Sequence, residues 1–167
     1  VRVGMIDAAA TIHGAAGLSA FRAARPEVDL RLQVAPSAEL LRALVAGRLD
    51  IVVCVAPAIL PEGVAAATLL AEDLAVYAPP GVAADVPPTQ WGPSMLFPAD
   101  SRTRTAIDRR LRAIGAPLVV EMESHQPEVL VEMVRLGLGW TVLPTTQAEH
   151  GAHRLARAMA EPLFSRT

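Results

Sequence analysis

The sequence contains no lysine and no asparagine, and all 15 of its basic residues are arginine. The missing lysine excludes a lysine-based phosphate loop and a lysine Schiff base within these 167 residues, and the missing asparagine excludes an asparagine-linked glycan. The single cysteine, Cys54, cannot form an internal disulfide. Because no positively charged leader with a small-residue cleavage site opens the sequence, we expect a reducing, cytoplasmic location.

Long apolar runs, aromatic residues and excess positive charge are also scarce. No stretch of about 20 uncharged apolar residues occurs, so the 52% apolar content indicates buried elements and predicts no membrane span. The three Phe, two Trp and one Tyr are too few for the stacking platform of a single-strand nucleic-acid binder. A net charge of −2 provides no general positive field, so any DNA contact requires another segment.

Short apolar runs alternate with amphipathic stretches, a pattern typical of βα units around a mainly parallel sheet. Pro26 ends the first predicted helix, and the second begins at Ser37 and ends at a left-handed cap at Gly47. The predicted strands are 1–6, 28–34, 50–55, 66–70, 74–78, 118–122 and 140–143. The other predicted helices are 11–25, 102–114 and 127–136, with one or two short helices in 145–160.

A proline- and glycine-rich stretch from Pro79 to Pro98 leaves little room for regular structure and predicts the passage into a second lobe. We therefore expect a first lobe at 1–78, with 145–167 returning to it, and a second lobe at 79–144. The runs 34–53 and 123–143 share one plan of strand end, serine, Glu-led helix, glycine turn and strand. Two lobes on one plan indicate a binding protein with a cleft between them.

Three polar clusters follow predicted strands and a fourth lies at the start of the helix predicted at 102–114 in the second lobe. Ligands bind at such places in open α/β sheets because helix N-termini present free N–H groups. Their small hydroxyl and amide groups would hydrogen-bond a small polar ligand, most simply a carboxylate. Ser37 also fits an ordinary helix cap, and Arg102 and Arg104 also fit solvated or paired positions on a helix face. The clusters are 7–11, 36–37, 100–103 and 124–126.

Titratable residues give no pattern typical of an enzyme or a metal site. Asp7 would repel an anionic ligand, so it is either a structural carboxylate or the partner of a ligand ammonium. Cys54 is expected to be a small buried hydrophobe in a strand. Only Glu149 accompanies His150 and His153, so no metal site is predicted. No nucleophile, base and orienting group can be placed together, so we predict no catalytic residue, no cofactor and no enzymatic activity.

Three segments are similar to the effector-binding domain of LysR-type transcriptional regulators. They are VRVGMIDAAAT, FRAARPEVDLRLQVAPSAELLRALVAGRLDIVV and PEVLVEMVRLGLGWTVLP. The second segment is the most specific: an F-x-x-x-x-P pattern runs from Phe21 to Pro26, and an L-x-x-G-x-L-D pattern runs from Leu44 to Asp50. The similarity extends from residue 1 to about residue 144.

The resemblance implies an α/β fold of the type 2 periplasmic-binding-protein kind, with two lobes and a ligand cleft between them. It further implies a ligand-sensing regulatory domain that binds a small metabolite and relays the change to an attached DNA-binding domain. An extracytoplasmic solute-binding receptor on the same fold is the alternative. The effector-binding residues that the resemblance implies are Asp7, Ala8, Ala9, Ser37, Pro98, Ser101, Arg102, Ser124 and His125.

The resemblance also implies partners. The residues themselves suggest the chemistry of the effector: the polar clusters favour a carboxylate, and Asp7 leaves an amino-acid-like compound open. Family members dimerise by antiparallel pairing of a first-lobe helix with a second-lobe helix, here 11–25 and 102–114, so we expect a homodimer, or a tetramer in the full-length protein. The family's N-terminal winged helix-turn-helix domain is absent from these residues, so DNA binding is expected only through that domain, and no membrane partner is expected.

Overall fold

The alternating strands and helices fold into two units, Val1–Thr68 and Leu69–Thr167, each with its own sheet. The computed structural model describes residues 1–83, 86–149 and 154–167, without the side chain of His13. Over these residues the strands are β1 (Arg2–Met5), β2 (Arg31–Val34), β3 (Ile51–Val53), β4 (Glu72–Ala78), β5 (Ser94–Leu96), β6 (Val120–Glu123), β7 (Trp140–Pro144), β8 (Ala156–Arg157) and β9 (Phe164–Arg166). The α-helices are α1 (Ala15–Ala24), α2 (Ser37–Val45), α3 (Arg102–Ala113), α4 (Pro127–Arg135) and α5 (Thr145–Ala148), with a π-helix at Ala9–Gly14 and a 3-10 turn at Pro88–Gln90.

The sheet of the first unit has the order β2-β1-β3, and both pairings of β1 are parallel. Val3 and Met5 on β1 pack with Ala9 on one face of the sheet. On the other face, a Cβ at Gly4 would lie 2.6 Å from methyl groups of both Leu40 and Leu49. Glycine at this position therefore lets α2 pack closely against the strand.

Three predictions for the first unit differ from the structure. The apolar run 50–55 predicts a central buried strand, but β3 is an edge strand with Ile51 53% exposed, because β1 holds the central place. The helix predicted at 11–25 begins earlier and contains a π-helical segment before α1. Residues 66–70 form no regular strand.

The sheet of the second unit has the order β6-β5-β7-β4-β8, and β9 also pairs with β4. β5 is parallel to both β6 and β7, while β4 is antiparallel to β7, β8 and β9. Trp91 and Trp140 stack with ring centroids 4.9 Å apart. The core of this unit consists mainly of fully buried side chains from the strands, α3 and α4: Leu74, Val76, Tyr77, Leu96, Ile107, Leu130, Val134, Val142 and Leu143.

The boundary between the units lies earlier than the sequence predicts. We expect a first lobe to residue 78, but β4 pairs with β7 from Leu74 to Tyr77 and so belongs to the second sheet. Segment 145–167 is expected to return to the first lobe, yet β8 and β9 pair with β4 inside the second unit. The proline-rich stretch 79–98 also contains a strand, β5. All of these differences come from strand pairings between residues distant in sequence.

The internal repeat predicted from the sequence is present in both units. The order β2-α2-β3 in the first unit matches β6-α4-β7 in the second. Gly47 after α2 has φ +66°, and Gly137 after α4 has φ +82°. Both glycines adopt the left-handed conformation that ends a helix, which confirms the cap predicted at Gly47.

Candidate functional site

The candidate residues of the first unit lie at the carboxyl edge of its parallel sheet. Backbone bonds from Ile6 N to Val53 O, 3.0 Å, and from Ala35 N to Met5 O, 3.2 Å, hold the ends of β1, β2 and β3 side by side. Asp7, Ala8 and Ala9 follow β1, and Ser37 follows β2. The structure therefore brings these four predicted residues to one edge of one sheet.

The turn after β1 presents backbone N–H groups and one carboxylate. The first helical backbone bond runs from Ala10 N to Ile6 O, so the N–H groups of Asp7, Ala8 and Ala9 belong to an opening turn that has no intrahelical acceptor. The side chains of Ala8 and Ala9 are buried, which leaves only their backbone for a ligand. Asp7 is half-buried, and within residues 1–83, 86–149 and 154–167 its carboxylate has no hydrogen-bond or salt-bridge partner.

Ser37 does not have the capping role that was one of its two predicted alternatives. Pro36 occupies the N-cap position with extended geometry, and Ser37 is the first residue of α2. The Ser37 hydroxyl instead accepts a 3.3 Å hydrogen bond from the Val55 N–H, just beyond β3. Ser37 thus ties the start of α2 to the chain that leaves β3, and it stays half-buried at the sheet edge.

In the second unit, Pro98, Ser101 and Arg102 follow β5. A turn with a 2.9 Å bond from Ser101 N to Pro98 O leads into α3, whose N-cap is Ser101. Among the residues that the structure describes, the Ser101 hydroxyl caps no backbone N–H group and the exposed Arg102 guanidinium pairs with no carboxylate. Both groups are therefore available to a ligand.

Ser124 and His125 follow β6 at the same edge. The bond from Ser124 N to Leu96 O, 3.1 Å, sets the end of β6 beside the end of β5. The Ser124 hydroxyl accepts the Gln126 N–H at 3.1 Å, which supports the turn into α4. His125 is exposed. The five predicted residues of this unit therefore share the carboxyl edge of two parallel strands.

Arg104 has a structural role that the sequence left open. Its guanidinium is buried and donates to Phe97 O at 2.8 Å, to Asp108 at 2.6 Å and to Glu123 at 2.8 Å. The sequence favours an i, i+4 pair between Asp108 and Arg112, but Asp108 instead pairs with Arg104 one turn earlier on α3. Glu123 and the Phe97 carbonyl are brought to Arg104 only by the fold. Arg104 therefore fixes α3 against the ends of β5 and β6.

A second buried network at this edge was missed from the sequence. Glu72 on β4 accepts bonds of 2.9 and 2.6 Å from Arg166 on β9, and it accepts the Thr146 hydroxyl at 2.9 Å. Arg166 also donates to the Thr103 hydroxyl at 2.7 Å. The partners lie up to 94 residues apart, so no local pattern could have predicted the network.

Most of the residues considered for a metal site lie outside the part of the chain that the structure describes. Within the described ranges, no three of the His, Cys, Asp and Glu side chains lie close enough to hold a metal ion. His150 and His153 lie outside the described residues. Glu149 is bound by Arg157 and accepts the Tyr77 hydroxyl at 2.7 Å, and Arg157 holds the pKa of the Glu149 carboxyl below its ordinary value.

Cys54 follows β3 and is half-buried beside Leu40 and Ala43.

Polar groups at the carboxyl edges of parallel strands define a class of α/β ligand-binding domain. A family model for the LysR substrate binding domain matches residues 1–167. The chain belongs to this family, the substrate-binding domains of LysR-type transcriptional regulators. The match confirms the predicted ligand-sensing domain of a regulator and does not support the solute-binding receptor.

Solved structures with the same fold are regulatory domains of LysR-type proteins. The CcmR regulatory domain of Synechocystis PCC6803, in complex with 2-PG, has a TM-score of 0.82 at 18% identity, covering 99% of this chain and 83% of that chain. A domain of a probable LysR family regulator from Rhodococcus sp. RHA1 has a TM-score of 0.74 at 21% identity, with 99% and 86% coverage. The effector-binding domain of QuiR in complex with shikimate has a TM-score of 0.75 at 14% identity, with 99% and 83% coverage. The predicted fold class, two-lobed and like type 2 periplasmic binding proteins, is confirmed.

Comparison with curated protein sequences gives no match. Where the structure describes the chain, none of its helices has the length and apolar content needed to cross a membrane.

Proposed function

We propose that the chain senses a small amino-acid-like metabolite through the predicted residues at the carboxyl edges of its parallel strands. One observation carries the proposal: within the described chain, each unit places a charged group, itself a predicted effector-binding residue, at such an edge without a salt-bridge partner. In the first unit it is the Asp7 carboxylate, and in the second it is the Arg102 guanidinium. An amino-acid-like effector carries the complementary ammonium and carboxylate groups.

Helix N-termini support the binding of a carboxylate. α2, α3 and α4 begin at these edges, and as far as the structure describes the chain none of the three has a side-chain cap. Their first-turn N–H groups and positive dipole ends favour an anion. The Ser37, Ser101, Ser124 and His125 side chains supply further polar groups, and Pro98 shapes the turn before α3.

The Asp7 carboxylate supports an amine on the effector. A half-buried carboxylate is expected to find a hydrogen bond or a counter-ion, and the described chain supplies neither. A purely structural role for Asp7 would require N–H donors to its carboxylate, and the described chain places none there. An effector ammonium would satisfy this carboxylate directly.

The proposed role of Asp7 predicts that the Asp7→Asn variant loses its preference for carboxylates that carry an amine. The variant is expected to bind amine-bearing carboxylates at least about tenfold more weakly, because a charge-assisted hydrogen bond is lost. Amine-free carboxylates should bind equally or better, since a negative charge has been removed. Titration calorimetry with amino acids and the matching hydroxy acids measures both effects.

Asp29→Asn is the matched control in the same unit, because Asp29 is exposed and, in the described chain, its carboxylate pairs with the exposed Arg31. It should leave both affinities unchanged. Equal weakening of amino acids and hydroxy acids in Asp7→Asn would contradict the proposed role of Asp7.

The proposal also covers the role of the chain in the regulator. Two similar domains were solved with small molecules, 2-PG and shikimate, which supports a metabolite as the signal here. The effector must bind two arrangements of the protein with different affinity to relay a signal to DNA-binding domains, since equal binding shifts nothing. We infer a non-enzymatic cytoplasmic sensor that works as a homodimer and contacts DNA through a separate domain.

A further inference from the structure

Gln147 in α5 is half-buried, and its side-chain amide is an unexplained buried polar group. Both its amide nitrogen and its amide oxygen are buried, and neither has a hydrogen-bond partner in the described part of the chain. A buried amide without partners is unfavourable, and native proteins rarely retain one without a reason. Methionine or leucine would fill a similar volume at this position without that cost.

Gln147 lies at the carboxyl edge of the second sheet. α5 follows β7 directly, and β7 is parallel to β5, which is parallel to β6. Residues after β5 and β6 already include the predicted effector-binding residues Ser101 and Ser124. Gln147 therefore follows the third parallel strand at the edge where the other two present polar groups.

The neighbouring polar side chains are engaged with one another and not with Gln147. Thr146 donates its hydroxyl to Glu72, and Glu72 also accepts two bonds from Arg166. Arg166 then donates to Thr103 in the first turn of α3. This network holds α5 next to the edge, while the Gln147 amide keeps both a donor and an acceptor unused.

We propose that Gln147 is an effector-contacting residue that determines specificity, with its amide hydrogen-bonding a polar group of the bound metabolite. The inference rests on the proposed function, because it requires an effector at this edge. An amide that donates and accepts recognises a carboxylate oxygen or hydroxyl through its N–H₂ group and an ammonium or hydroxyl through its carbonyl. The effector would thus relieve a cost that the unliganded fold carries.

The test combines stability with binding in Gln147→Met. Without ligand, the variant should unfold about 2–4 °C above wild type, because an unpartnered buried amide is replaced by an apolar side chain of similar shape. The probes are amino acids, hydroxy acids and shikimate. Whichever of them binds wild type should bind Gln147→Met about tenfold more weakly, as measured by titration calorimetry.

Gln90→Met is the matched control, because Gln90 is exposed in the 3-10 turn of the same unit. It should change neither the unfolding midpoint nor the affinity. A Gln147→Met variant less stable than wild type would overturn the inference, because the amide would then be required by the fold. Wild-type affinity in a stabilised Gln147→Met would overturn it too, because the amide would then have no role in binding.

Failure of the proposed function gives a different result. In that case no probe binds the wild-type chain, and the inference falls with it even if Gln147→Met is more stable. If a probe binds wild type and Gln147→Met with equal affinity, only the proposed role of Gln147 is contradicted, and the proposed function stands.

Discussion

Arg104 combines a permanent charge with burial, and three acceptors compensate for its removal from water. The Phe97 carbonyl and the Asp108 and Glu123 carboxylates all accept from it. Truncation would leave two carboxylates without their counter-ion, close to the ends of β5 and β6. The geometry of this edge therefore depends on one side chain that is not itself a predicted ligand contact.

Replacing Arg104 by alanine should lower the free energy of unfolding by about 2–3 kcal/mol, less than for a fully buried pair because Glu123 is 42% exposed. Arg109→Ala on the exposed face of the same helix should change it by less than about 0.5 kcal/mol. Urea unfolding measures both. Similar losses in the two variants would contradict the role of the Arg104 network.

Individual residues were predicted with mixed success. Ser37 was placed correctly at the start of α2, but its hydroxyl bonds Val55 across the sheet edge, a contact that local spacing does not encode. The position of Arg104 on the helix does not decide whether its side chain is solvated or turned inward. The acceptors that decide between these two orientations come from other elements. The same applies to Gln147, whose burial depends on long-range packing.

At the scale of elements, the π-helix Ala9–Gly14 determines how the turn after β1 enters α1. A Cβ at Gly14 would lie 2.6 Å from the Ala9 carbonyl oxygen and 3.0 Å from the Met5 methyl carbon. The carbonyl belongs to the backbone and cannot move without changing the helical register. Gly14 therefore permits the π-helical geometry next to Asp7, Ala8 and Ala9.

Gly14→Ala should accordingly destabilise the protein by about 1–3 kcal/mol, because the added methyl clashes with backbone. Gly17→Ala is the control in α1, where a Cβ would meet nothing within 4 Å, and it should stabilise by about 0.5–1 kcal/mol through helix propensity. Chemical denaturation measures the two changes. Stabilisation by both substitutions would show that the π-helix is not held by Gly14.

Arg2 on β1 and Asp50, just before β3, form a salt bridge that joins the starts of the two strands. This salt bridge should make the stability of the fold depend on pH. Hydrogen bonds from the Arg2 side chain and backbone lower the pKa of Asp50 from 3.8 to about 2. A carboxyl with a lowered pKa in the folded state stabilises the fold above its ordinary pKa, and that contribution is lost as the pH falls through the folded value.

Wild type should therefore be more stable than Asp50→Asn at pH 6, and the difference should shrink between about pH 4 and pH 2. Thermal midpoints across pH 2–6 measure the difference. The control Asp29→Asn removes a carboxylate from a more exposed pair and should show a smaller effect. A wild-type advantage that stays constant down to pH 2 would exclude the proposed link to Asp50.

Elements with strong periodicity were predicted well from the sequence. The helices from Ser37, at 102–114 and at 127–136 appear as α2, α3 and α4 with their apolar faces buried. β5 was missed because it is short and lies among prolines. The π-helix was missed because its hydrophobic pattern does not differ from that of an ordinary helix over six residues.

For the whole molecule, the fold class followed from the alternation of strands and helices and from the family resemblance, and the family match confirms it. The boundary between the units did not follow, because β4 joins the second sheet through pairings with β7, β8 and β9. An apolar strand carries no information about which sheet it joins. The predicted effector residues gather at one edge in each unit, and their contact with an effector is the central claim.

The most direct measurement of that claim is a thermal-shift panel of amino acids, hydroxy acids and aromatic acids on wild type, Ser37→Ala and Ser19→Ala. A true effector at about 100 times its dissociation constant should stabilise wild type by about 2.7 kcal/mol, which is several degrees in midpoint. Ser19 is exposed on α1, so Ser19→Ala should respond as wild type does, while Ser37→Ala should lose most of the shift. A panel that leaves wild type unmoved, or a full shift retained in Ser37→Ala, would contradict effector binding at the carboxyl edge of the first sheet.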